Sequence, residues 1–80
     1  NQVSLDQFNI GEEGVLVGVK DHNKPFLKYL NELSIKLGSV LKVVNKISFD
    51  GSYKVIVNQK EEHLFSNQIC KSLFVKRNFN

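Results

Sequence analysis

Hydrophobic positions in this chain alternate over short stretches, switch once to helical spacing, and then return to alternation. Near the start, SLDQFNI supplies Leu5, Phe8 and Ile10 to tuck against a core, and the glycine-bounded GEEG that follows reads as a surface loop. From Val15 to Lys20, the run VLVGVK places Val15, Val17 and Val19 on one face of a half-buried strand. Gly18, on the other face, marks a bulge or a close backbone approach. Asn23 and Pro25 then start a helix, because Asn caps well and the missing N–H of proline has no partner in a first turn. Phe26, Leu27, Leu30 and Leu33 follow at helical spacing on one side, with Lys28, Asn31 and Glu32 facing water. This helix is predicted to end near Ser34, and Ile35 to Gly38 make a turn in which Gly38 supplies the permissive backbone.

The second half returns to period two. Val40 to Ile47 is predicted as a long strand, and Phe49-Asp50-Gly51-Ser52 as a hairpin connection, since Asp-Gly favours tight turns. Tyr53, Val55 and Val57 alternate on the return strand, and Asn58-Gln59-Lys60 turns the chain into Glu61 to Phe65. Ser66 caps one short helical turn with Ile69 and Leu73 on its apolar side, and Leu73 to Val75 forms the last strand. About five short strands in so small a chain argue for a mainly β fold closed into a small barrel, which removes exposed sheet edges.

Composition narrows the function classes. Eighty residues support one domain and one modest core. With 41% hydrophobic and 24% charged residues, the chain is an ordinary globular sequence and not a disordered one. Its longest apolar runs are three residues, and NQVSLDQF has no basic start or apolar stretch of a secretory signal. The single Cys70 has no disulfide partner, so a small buried core side chain in a reducing cytoplasm is the expectation. The net charge of +3 comes from eleven scattered Lys and Arg, of which only Lys76 and Arg77 are adjacent, and nucleic-acid surfaces cluster their charge instead. The chain opens on Asn1 and contains no Met, so a domain excised from a longer chain is expected, with its core over about residues 5–76.

The order strand, helix, L-x-x-L-x-I-x-x-G, long strand, F-D-G hairpin and L-F-S-x-x-I-x-x-x-L-F-V resembles the FeoA-type SH3-like barrel. GVKDHNKPFLKYLNELSIKLGS is similar, more closely, to the version of that barrel at the C-terminus of metal-dependent repressors of the diphtheria-toxin-repressor family. Where that family often has Leu-Gly-Ile-x-Pro-Gly, this chain has Leu33-Ser34-Ile35-Lys36-Leu37-Gly38, keeping only the final glycine. The resemblance implies an SH3-like barrel with one α-helix after the first long strand and a short helical turn before the last. It also implies a regulatory, non-enzymatic domain of a dimeric cytoplasmic repressor of iron or manganese homeostasis. In such repressors an N-terminal winged helix-turn-helix domain reads DNA, a middle domain dimerises and binds the iron or manganese ion, and the barrel docks on the rest of the chain. The alternative it implies is a stand-alone cytosolic accessory of ferrous-iron transport.

Candidate chemistry is sparse. Asp21 and His22 end the first long strand and offer the oxygen and imidazole donors that suit Mn or Fe, although the position matching a family carboxylate ligand falls at or near Gly18. Glu61 and His63 are the only members of the second polar cluster that share a strand face. No loop of the phosphate-cradling kind and no nucleophile–base motif is present. Among the aromatic residues, Phe26, Phe65 and Phe74 fit core positions, whereas Tyr29, Phe49 and Tyr53 are candidates for a partner groove of the kind SH3-like barrels use for proline-containing segments. Phe79 lies in the polar tail.

Overall fold

A computed structural model describes residues 2–77, and Phe79 lies outside them. The elements run in chain order as β1 (Gln2–Ser4), a 3-10 turn (Leu5–Gln7), β2 (Glu13–Val19), α1 (Lys24–Glu32), β3 (Val40–Ile47), β4 (Ser52–Val57), β5 (Glu61–Phe65), α2 (Asn67–Lys71) and β6 (Leu73–Arg77). The strands form one antiparallel sheet in the order β1-β6-β2-β3-β4-β5. The fold is mainly β and SH3-like, with six strands where the sequence pattern predicts about five. The addition is β1, three residues whose pairing with Phe74–Lys76 no period-two pattern announces. β1 and β5 remain the edges of the hydrogen-bonded sheet, which is open, not fully closed.

Curvature comes from two register shifts, between Leu16 and Gly18 in β2 and between Val43 and Asn45 in β3. The first corrects the expected face of β2. Gly14 and Leu16 point inward, while Val17 is 39% exposed. Val17 is the extra residue of the bulge, so the phase resets and Val19 packs back against the core. Gly18 sits opposite Phe74, whose ring covers the outer face of the sheet, half-buried and apart from the core. In β3 the shift brings Lys46 opposite Tyr53, where its ammonium lies 5.3 Å from the ring centroid.

The core joins Leu5 and Phe8 from the N-terminal turn to Leu16, Leu41, Val43, Val55, Phe65, Leu73 and Val75 from the sheet. Ile10, expected to tuck inward with Leu5 and Phe8, is 58% exposed instead. It lies beyond the turn that buries Phe8, at the start of the Gly11 loop whose N–H bonds to the Val43 carbonyl at 2.7 Å.

α1 forms as its sequence signals predict: the Asn23 side chain accepts the Phe26 N–H at 2.8 Å, and Pro25 sits in the first turn. Leu30 is buried, and Phe26, Tyr29 and Leu33 are half-buried against the core, but Leu27 is turned off that stripe and exposed. The helix ends in a complete Schellman motif. The Ile35 N–H reaches the Leu30 carbonyl at 2.9 Å, the Ser34 N–H reaches Asn31 at 3.0 Å, and Ser34 takes φ +60°. Gly38, at φ +94°, completes the turn and donates to the Leu16 carbonyl at 2.8 Å, seating the loop on β2. α2 is capped by Ser66, whose hydroxyl accepts the Ile69 N–H at 3.2 Å, and it buries Cys70 beneath the sheet.

Candidate functional site

The loop joining β2 to α1 carries Asp21 and His22, and local hydrogen bonding turns the two side chains to different tasks. Asp21 accepts from the Asn23 backbone N–H at 3.0 Å and from its side-chain amide at 2.7 Å, so both carboxylate oxygens hold the cap residue of α1. It borders a polar recess shared with Lys20, Gln68, Lys71 and Ser72. His22 instead lines a depression of about 370 Å³ between α1 and β2, walled by Leu16, Val19, Leu27, Leu30, Ile35 and Leu37, with Lys36 and Asn31 among its polar groups. Among the described residues no group of three or more His, Cys, Asp or Glu comes together. A divalent transition metal takes four to six ligands, so Asp21 and His22 by themselves do not complete a coordination set.

Glu61 and His63 do share the inner face of β5, opposite Val57 and Val55, with the imidazole Nε2 3.8 Å from the Glu61 carboxylate. The His63 ring stacks on Phe65 at 6.0 Å, and its buried Nε2 has no hydrogen-bond partner within 3.5 Å. Inward-facing polar groups on an edge strand discourage pairing with another sheet, which is the structural role this geometry fits.

The aromatic candidates for a groove separate. Tyr53 is buried, 8% exposed, and its hydroxyl donates to the Asp6 carbonyl at 3.0 Å; burial pushes that hydroxyl's pKa up. Tyr29 packs half-buried on the core from α1. Phe49 stands at the tip of the β3–β4 hairpin, 96% exposed. Cys70 is fully buried, as its setting in the sequence suggests, and burial pushes its thiol up to about 12, with Asp6 adding a smaller contribution. A protonated, enclosed thiol is a poor nucleophile.

The apolar depression is the feature that motif reading misses. Its signals are present in the chain: Leu27 falls a helical step off the buried stripe, and Leu37 occupies the place where the resembled family often has proline. Leu37 is 67% exposed and Leu27 39%. Only the packing of α1 against β2 reveals that they face a common hollow.

The sequence model of the FeoA domain matches residues 3–77. No curated protein sequence matches the chain. Among solved structures, a manganese-dependent transcriptional repressor in complex with manganese superposes with a TM-score of 0.89 at 19% identity, covering 96% of this chain and 37% of its own. ScaR with bound Cd2+ superposes at 0.83 and 18% identity, over 95% of this chain and 35% of its own. An iron uptake regulatory protein, FeoA, superposes at 0.82 and 14% identity, over 98% of this chain and 99% of its own. Identities this low establish the shared fold, and function has to be argued from the site.

Proposed function

The chain belongs to the FeoA domain family, and from that premise we propose that it is the C-terminal regulatory domain of a metal-dependent transcriptional repressor of iron or manganese homeostasis. It acts by docking on the other domains of its own chain, and its docking contacts differ between the metal-free and metal-loaded states. A coupling of that kind needs a differential contact energy of only a few kcal/mol. In this reading the parent chain is a homodimer, lies in the cytoplasm, reads DNA through a separate N-terminal domain, and holds iron or manganese in a site of its own. Asp21 and His22 would reach that ion only as supplementary donors to ligands from outside this domain.

The observation that carries the reading is the fit of 96% of this chain onto 37% of the manganese-dependent transcriptional repressor. Among its described residues the domain brings together no group of three or more His, Cys, Asp or Glu that could hold the ion by itself. A second reading, a stand-alone accessory of ferrous-iron transport, is favoured by the end-to-end match with the FeoA structure.

Immunoblotting of source cells with an antibody to this domain separates the two. A band several-fold heavier than 9.1 kDa is the expected outcome, and a band near 9.1 kDa would replace the repressor reading with the accessory one. In the heavier protein, deleting residues 3–77 is expected to shift the metal concentration that gives half-maximal operator binding. An unshifted titration would reject docking as the mechanism.

A further inference from the structure

We propose that the depression between α1 and β2 receives a second copy of this chain, which inserts Phe49 from the tip of its β3–β4 hairpin. The donor side is a preformed knob. Phe49 is 96% exposed, yet the turn that presents it is held by the Gly51 N–H on the Ile47 carbonyl at 2.9 Å and by the Ser52 N–H on Asp50 Oδ1 at 2.9 Å. An aromatic side chain on an ordered turn buries a large area with little loss of conformational freedom, which is the profile of an interface anchor. The acceptor side is an open apolar hollow whose volume of about 370 Å³ exceeds that of one aromatic ring.

Charge favours the same pairing. The lining of the hollow includes the cation Lys36 and no acidic residue. Asp50 directly follows Phe49, and hydrogen bonds from Ser52 hold its carboxyl below the usual carboxylate range, so it arrives ionised beside the ring. Lys46, near the end of β3, is turned back over the Tyr53 ring. Insertion of Phe49 therefore carries a carboxylate toward Lys36.

The molecule is unable to fill its own hollow. Leu37 borders it just before β3 begins, whereas Phe49 lies beyond the far end of that strand. Eight residues of strand separate the two features by roughly 20 Å. Knob and hollow thus occupy different surfaces, and the contact is head-to-tail, adding copies in sequence unless a ring closes.

Sedimentation equilibrium on the 80-residue chain, from about 10 µM to about 1 mM, tests this. The weight-average mass is expected to rise from 9.1 kDa to at least twice that value. Phe49→Ala, which removes the knob, and Leu37→Glu, which sets a carboxylate in the hollow against Asp50, should each remain at 9.1 kDa. Both positions are exposed, and unchanged far-UV circular dichroism would verify the fold. An equal mixture of the two variants has one working knob and one working hollow, so it should reach twice the monomer mass and stop. A wild-type chain that stays at 9.1 kDa throughout would overturn the proposal and leave the hollow to a different chain. Association of Phe49→Ala at wild-type strength, or a mixture that stays monomeric, would overturn it equally. The experiment is independent of the repressor reading, because it needs no other domain.

Discussion

Ser34 is held in the left-handed region, φ +60°, as the residue just past the last helical turn of α1. For an L residue that conformation costs roughly 1–2 kcal/mol, and glycine escapes it while losing part of the gain to its freer unfolded chain. Ser34→Gly should therefore raise stability by about 1 kcal/mol in urea unfolding. A neutral or negative effect would mean that the Ser34 hydroxyl has a compensating role. Gly14 presents the opposite case. A Cβ there would stand 2.5 Å from the Lys76 carbonyl oxygen, 2.7 Å from Val75 Cγ1 and 2.8 Å from Phe8 Cζ. Gly14→Ala must push β2 away from β6, and overpacking of this kind costs about 1–3 kcal/mol. A loss below about 0.5 kcal/mol in the same assay would show that β2 can shift freely. The sequence reading treats Gly14 as the end of a loop, because nothing along the chain shows that Phe8 and β6 meet there.

At the scale of elements, the chain is legible where a local signal and the tertiary environment agree. β3 runs over Val40–Ile47 as predicted, α1 begins at its Asn23 cap, and Ser66 caps α2. The Asp50-Gly51 turn and the Asn58-Gln59 turn both form, the latter with two consecutive positive φ values and a bond from the Lys60 N–H to the Val57 carbonyl. The errors fall where an element depends on a distant one. β1 exists only because β6 offers it an edge, and the bulge at Val17 splits the expected face of β2, leaving Val17 exposed while Val19 returns to the core. Leu27 satisfies helical spacing yet faces the hollow, because the strand under α1 fixes which part of the apolar stripe is covered.

For the whole molecule, stability should decline at both ends of the pH range. The Asn9 N–H and then Arg77 hold the Glu12 carboxyl below its ordinary range, the guanidinium lying 3.0 Å away, 5.1 Å over the Phe8 ring. With its folded pKa depressed, Glu12 stabilises above its unfolded value, and that contribution disappears as pH falls through the folded one. Melting temperature should thus fall below about pH 4.5, and Glu12→Gln should fall less steeply. Cys70 acts in the other direction. Its folded thiol ionises at about 12, so above about pH 8.5 the unfolded chain releases a proton that the folded chain retains, and stability drops as pH rises. Cys70→Ala should lose less between about pH 8.5 and 10. Equal slopes for wild type and variant would mean that the thiol is accessible in the folded state.

The sequence by itself determined the class of fold, the order of the long elements, their caps and turns, and the family, because each rests on periodicity or on residues a few positions apart. Only the tertiary structure decided which faces are covered. It placed Tyr53 in the interior and Phe49 in solvent, directed Asp21 to its own helix cap and His22 into a hollow, and brought Leu16, Leu27 and Leu37 together. Those outcomes depend on register shifts and on contacts between residues far apart in the chain, and a local pattern carries no record of them.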